Sequence, residues 1–208
     1  MTEVLITAPC SDEIKLRLEE FKNSCIFSFG DRKSDIGSAE VIIGEPRTER
    51  IREAKNLKFV QMTWAGADIY TRGGFPQGIK IANASGAFGP VIAEYVIGAI
   101  LCVYRRFPEY VENQKVCIWR DAERTIEGKT ALILGTGDIG SNIAKRLSAF
   151  GTKNIGIRRT GAPAQYFDEM HTLSDIDSLL PRADLVIGCL PNTKETGHIL
   201  NYDRLCLM

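Results

Sequence analysis

No stretch of the chain narrows its architecture more than residues 129–150, KTALILGTGDIGSNIAKRLSAF. An aliphatic run of the kind that fills a buried strand passes through GxGxxG into an amphipathic helix, so the backbone must leave a strand and enter a helix through a sharp turn. Each glycine has a steric reason to be there. Gly135 permits the tight turn, Gly137 lets backbone approach a ligand closely, and Gly140 allows the helix to pack on the sheet. Unpaired amides at the helix start, near Asp138 and Ile139, offer donors and a favourable dipole to an anion. A further strand at residues 154–157 falls where a βαβ unit needs one. The segment therefore reads as the pyrophosphate-gripping turn of a Rossmann dinucleotide-binding unit.

In versions of this unit that take NAD, an acidic residue about 20 positions on receives the ribose hydroxyls. Here Arg158, Arg159 and Thr160 stand instead. A guanidinium cannot accept from a hydroxyl, but its fork matches a phosphate. The expected cofactor is NADP in preference to NAD.

Upstream, short β-branched runs alternate with amphipathic segments, the grammar of a doubly wound parallel sheet. Strands are expected at residues 4–7, 25–29, 40–44, 58–63 and 79–83. A helix over 12–21 should place Ile14, Leu18 and Phe21 on one face, and a shorter one covers 49–54. Gly73, Gly74, Pro76 and Gly78 punctuate the approach to the fifth strand. A long apolar helix over 90–111 follows, with Pro90 in its first turn. The fold class is thus α/β in two domains, 1–88 and 89–208. In the second, a polar segment at 112–127 precedes strands at 130–134, 154–157 and 183–190 and helices at 139–150 and 173–180.

Composition removes whole classes of partner. Lys plus Arg number 26 and Asp plus Glu number 26, so no overall field attracts nucleic acid or a membrane surface. The 91–104 run is too short to span a bilayer. The six cysteines are scattered without CxxC pairs, which gives no metal site and reads as reduced, packed thiols. With no secretory pattern at the amino terminus, a cytoplasmic location is expected.

Three more segments, QMTWAGAD at 61–68, NASGAFGPVIAEYVIGAIL at 83–101 and ADLVIGCLPNTKETGHIL at 183–200, together with the glycine turn, resemble the D-isomer-specific 2-hydroxyacid dehydrogenases. That family interconverts 2-keto acids and D-2-hydroxy acids. The resemblance implies a flavodoxin-like substrate domain ahead of a Rossmann cofactor domain. It implies that Ala65, Gly66 and Ala67 offer amides to a substrate carboxylate with Trp64 lining the pocket, that Leu190 and Pro191 lie along the cofactor, and that Thr196 lies near its phosphates. Glu94 resembles an acidic residue at the start of the interdomain helix, in a tethering or a catalytic role. A homodimer paired through the 90–111 helix is also implied.

Family members carry an arginine, a glutamate and a proton-exchanging histidine in a later segment, which is not found among these residues. His171 and His198 match no such position and read as surface histidines, so no catalytic residue is assigned. A full Rossmann sheet has six strands in the order 3-2-1-4-5-6, and this chain is expected to supply four. The expectation is an incomplete Rossmann domain whose carboxy-terminal part is missing, with strand four as an apolar edge. Two functions follow: a nicotinamide-dependent oxidoreductase for a small 2-keto or 2-hydroxy acid, or a catalytically silent NAD(P)-binding module.

Overall fold

The computed structural model describes residues 1–71, 75–119 and 124–208, which form two compact units, Met1–Ser85 and Gly86–Met208. In the first unit the elements run β1 (Thr2–Ile6), α1 (Asp12–Leu18), β2 (Cys25–Phe29), β3 (Val41–Ile43), α2 (Thr48–Glu53), β4 (Phe59–Gln61), α3 (Asp68–Thr71) and β5 (Lys80–Ala82). The five strands are all parallel and ordered β2-β1-β3-β4-β5. Val4, Leu5 and Ile6 are buried in succession, as a strand covered on both faces requires. Ile42, Ile51, Val60, Met62 and Tyr70 complete this core.

The first helix departs from its expected form. It stops at Leu18 and gives way to a 3-10 turn at Glu19–Phe21. Seven residues make only about two turns, too few to lay three spaced side chains against the sheet. Ile14 and Phe21 are exposed, and Leu18 alone of the three is half-buried. Ser11 starts the helix by accepting from the Ile14 amide at 3.3 Å. Gly73 and Gly74, expected as punctuation, lie outside the described residues.

The second unit contains α4 (Gly89–Tyr104), α5 (Phe107–Lys115), β6 (Thr130–Leu134), α6 (Asp138–Ala149), β7 (Lys153–Ile157), β8 (Glu169–His171), α7 (Ile176–Leu179), β9 (Leu185–Gly188) and α8 (Tyr202–Leu205). Its parallel sheet is ordered β8-β7-β6-β9. Alternation along β6 divides the packing. Ala131 and Ile133 meet α4 and α6 through Ala93, Ile97, Ile143, Ala144 and Leu147, whereas Leu132 and Leu134 join Ile155, Ile157, Ile176 and Leu179 on the other face. Among the described residues β9 pairs only with β6, which places it at one edge of this four-stranded sheet.

Two expectations need correction. The single helix over 90–111 is broken: α4 ends at Tyr104, Arg106 adopts a left-handed φ of 55°, and α5 begins at Phe107. Pro108 has no amide to offer Tyr104, and its ring would strike that carbonyl in a continuous helix, so the chain restarts with proline in a first turn. The Arg106 guanidinium bonds Glu109 and secures the restart. The structure also adds β8, a three-residue strand outside the expected ones. With one aliphatic-type residue, Met170, it carries no periodicity to detect. Of the polar segment at 112–127, residues 120–123 lie outside the described residues.

Candidate functional site

The glycine turn at the end of β6 is built from three unlike glycines. Gly135 has φ of +99°, and a Cβ there would lie 2.7 Å from the Cys189 carbonyl oxygen, so both conformation and space demand glycine. At Gly140 a Cβ would lie 2.0 Å from the Gly135 carbonyl oxygen, which fixes how closely α6 crosses the turn. Gly137 is different. A Cβ there would meet nothing within 4 Å, and its φ of −77° is open to any residue. Packing explains the first two glycines and leaves the third unexplained by the protein alone.

Around that open position α6 begins with Gly137 as N-cap, and no side chain caps it. The amides of Asp138, Ile139 and Gly140 are those that an α-helix leaves without internal partners. The Asp138 side chain turns away, accepting from Asn142 Nδ2 at 3.1 Å and lying where a Cβ on Gly89 would touch it. Asp138 thus brings its amide to the turn. The Thr136 hydroxyl is buried in the same turn and has no hydrogen-bond partner among the described residues.

The neighbouring strand delivers its end to the same place. The Gly135 amide donates to the Ile157 carbonyl at 2.9 Å, so Arg158, Arg159 and Thr160 follow directly beside the turn. Arg158 is half-buried, while Arg159 and Thr160 are exposed. Gly161 closes the bend, donating to the Arg158 carbonyl at 3.3 Å. On the other side, the Cys189 amide donates to Leu134 at 2.7 Å, and Leu190 comes next, its amide 3.1 Å from where a Gly135 Cβ would be. Thr196 donates to the Pro191 carbonyl at 2.5 Å and accepts from the Thr193 amide at 2.9 Å. Its hydroxyl therefore closes the 191–196 loop.

Other candidates have structural partners. Glu94 pairs with Arg146 at 3.3 Å and ties α4 to α6. His171 Nε2 lies 3.1 Å from Glu169, and His198 is exposed with a left-handed φ of 56°. Glu169 also receives Lys153 and Arg182, and hydrogen bonds from Lys153, Arg182 and His171 hold its carboxyl at about 2, well below the usual 4.5. Among the described residues no group of His, Cys, Asp and Glu side chains could hold a metal ion.

In the first unit, the loop after β4 carries Trp64, Ala65, Gly66 and Ala67. Three of its carbonyls are engaged: Ala84 donates to Trp64 at 3.0 Å, Tyr70 to Ala67 at 3.0 Å, and Asn83 Nδ2 to Ala65 at 2.6 Å. The amides of residues 65–67 donate to nothing among the described residues. Three successive N–H groups with no acceptor among the described residues can take an anion. Sequence reading missed what holds this loop. Glu45, only 7% exposed, accepts from the Thr63 amide at 2.7 Å and the Thr63 hydroxyl at 2.8 Å. Buried Tyr70 donates to the Pro46 carbonyl at 2.6 Å, and burial together with the Glu45 charge pushes that phenol up to about 12. The Glu45–Pro46 dipeptide grips both ends of the loop. A carboxylate directly after the aliphatic run VIIG was the available signal.

Comparison with known proteins agrees with this layout. Residues 97–208 match the family described as D-isomer specific 2-hydroxyacid dehydrogenase, NAD binding domain. The chain is 31% identical over 166 residues to hydroxypyruvate reductase of Thermotoga maritima, covering 76% of this chain and 52% of that protein. It is 32% identical over 192 residues to a glyoxylate/hydroxypyruvate reductase of Arabidopsis thaliana, covering 87% and 58% respectively. The chain spans about half the length of the curated relatives it matches. Among solved structures, a D-isomer specific 2-hydroxyacid dehydrogenase family protein of Aeromonas salmonicida superposes with a TM-score of 0.82 at 30% identity, covering 96% of this chain and 67% of that one.

Proposed function

The chain belongs to the D-isomer specific 2-hydroxyacid dehydrogenase family, and from that premise we propose that its second unit binds NADPH at the glycine turn while the loop of residues 64–67 holds the carboxylate of a small 2-keto or D-2-hydroxy acid. One observation carries the reading. Of the three glycines in the turn, Gly137 is the one that packing and backbone conformation leave unexplained, and the space above it opens beside the amides at the start of α6. A dinucleotide pyrophosphate supplies the missing reason.

A nicotinamide coenzyme, when bound, supplies or receives the hydride. The chain's own residues do the positioning. Amides of Asp138, Ile139 and Gly140 hold the pyrophosphate by charge-assisted hydrogen bonds, and Leu190 and Pro191 border the coenzyme. Arg158 and Arg159, next to the turn, favour a 2′-phosphate over a free ribose hydroxyl. In the first unit the amides of residues 65–67 hydrogen-bond the substrate carboxylate. Glu94 has the tethering role, through Arg146.

The protein also forms a homodimer in this reading. α4 leaves Val91, Tyr95 and Val103 between 67% and 77% exposed, and their spacing of four and eight residues sets them along one stripe of the helix. Sedimentation showing only monomer would remove this part.

Fluorescence titration of the full chain tests the cofactor assignment. NADPH is expected to bind at least about tenfold more tightly than NADH, the worth of one charge-assisted contact. Equal affinities refute the preference, and binding of neither coenzyme refutes the whole reading. Steady NADPH oxidation with glyoxylate or hydroxypyruvate tests turnover.

A further inference from the structure

The first unit contains a cavity of about 410 Å³, a volume suited to a small ligand. It lies at the carboxyl end of the sheet. Arg32 and Lys33 come from the loop after β2, Arg47 from the loop after β3, and Trp64 and Tyr70 from the segment after β4. Connections in this sheet reverse direction between β1 and β3, and ligands of open α/β sheets collect outside the strand ends at such a reversal.

Charge inside the cavity is unevenly engaged. Glu45 turns one oxygen into the protein toward Thr63, and its other oxygen stands 3.8 Å from Arg32. Arg32 lies over the Trp64 ring at 4.4 Å from the centroid, so an ion pair at one side and an aromatic face beneath hold the guanidinium in place. Half of that side chain remains open. Lys33 and Arg47 form no ion pair among the described residues. The cavity therefore presents a cation held in place, with two more cations and the Glu49 carboxylate beside it, next to the loop whose amides donate to nothing among the described residues.

Building on the carboxylate site proposed above, we infer that this cavity is a second oxyanion subsite, with Arg32 as its recognition residue and Glu45 as its positioning residue. It selects 2-keto or 2-hydroxy acids bearing a further carboxylate or phosphate. The first carboxylate rests on the amides of residues 65–67, the carbon chain crosses Trp64, and the second oxyanion takes the fork of Arg32. A monoacid such as glyoxylate uses only the first of these contacts.

Calorimetric titration of the full chain tests this without depending on turnover. The probes are 2-oxoglutarate and D-3-phosphoglycerate as dianions, glyoxylate and D-lactate as monoanions, and inorganic sulfate as a control for unspecific attraction. The dianions are expected to bind at least about tenfold more tightly than the monoanions, as one charge-assisted contact gives. R32Q is expected to reduce them to the monoanion level while moving the monoanions less than about twofold, and R32K, which keeps charge but loses the fork, falls between. Whichever dianion binds more tightly identifies the oxyanion as phosphate or carboxylate. Dianions that bind no better than monoanions or sulfate, or that bind R32Q as well as the parent, overturn the inference. NADPH affinity measured in the same samples reports on the second unit, so failure of the wider functional reading appears there and not in the dianion series.

Discussion

Replacing Gly137 with alanine separates cofactor binding from folding, because the two consequences can be worked out independently. At φ −77° and ψ −157° the backbone accepts alanine without strain, and the new methyl would touch no protein atom within 4 Å. Removing glycine flexibility from the unfolded chain stabilises by about 0.4–1 kcal/mol. Alanine is a poorer N-cap than glycine, which costs on the order of 0.5–1 kcal/mol. These offset, and the net change is expected within about 0.5 kcal/mol, or about 2 °C in Tm for a chain of this size. The cofactor meets the opposite outcome. The methyl occupies the approach to the α6 amides, and loss of one hydrogen bond to a charged group, about 1.5–3 kcal/mol, weakens NADPH binding by about 10- to 150-fold. Gly140→Ala is the contrasting variant. Its methyl would sit 2.0 Å from a backbone oxygen, so α6 must move by about 1 Å and stability falls by about 1–3 kcal/mol. Differential scanning fluorimetry beside a fluorescence titration reads both quantities. A Gly137→Ala protein that keeps parental NADPH affinity, or that melts as early as Gly140→Ala, refutes the argument.

Three other outcomes are expected. Arg158→Asp restores a ribose-hydroxyl acceptor next to the turn and should shift preference toward NADH by about tenfold or more, with a ratio of dissociation constants that stays put counting against the 2′-phosphate assignment. Asn154→Ala removes a fully buried amide that donates to Ala144, Ser148 and Tyr166 and accepts from Thr152, and urea unfolding should register a loss of about 2–4 kcal/mol from the groups left unpaired. Glu169, held at about 2 in the fold against an ordinary 4.5, binds fewer protons folded than unfolded between those values, so its stabilisation is full above about pH 4.5 and is lost as pH falls toward 2. Glu169→Gln should flatten that acid limb of a stability-against-pH curve, and an unchanged limb would show that other carboxylates govern it.

What could be read in the sequence divides along a physical line. β1 and β6 announce themselves because a strand covered on both faces needs an unbroken aliphatic run, and VLI and ALIL supply it, while β7 shows its two isoleucines on either side of Gly156. The glycine turn was legible for the same reason: steric demands at Gly135 and Gly140 are local, between residues near in the chain or on paired strands. β8 had no such mark. Its three residues become a strand because β7 offers an edge, and the Glu169 charge is held by Lys153 and Arg182 from other elements. The break between α4 and α5 was written in Pro108, but Val111 continues the apolar spacing beyond it and makes the two helices look like one.

The site shows the same limit more sharply. The amides of residues 65–67 could be suspected from small side chains alone, since close approach to backbone requires them. Glu45 and Arg32 could not, because their significance lies in partners 18 and 32 positions away, Thr63 and Trp64. A buried carboxylate is costly unless it is paired and hydrogen-bonded, and Glu45 meets both conditions with residues contributed by two different loops. Its position can therefore be judged functional only once the sheet has set those loops side by side, and substitution there should disturb the loop that begins at Thr63 more than the core of the unit.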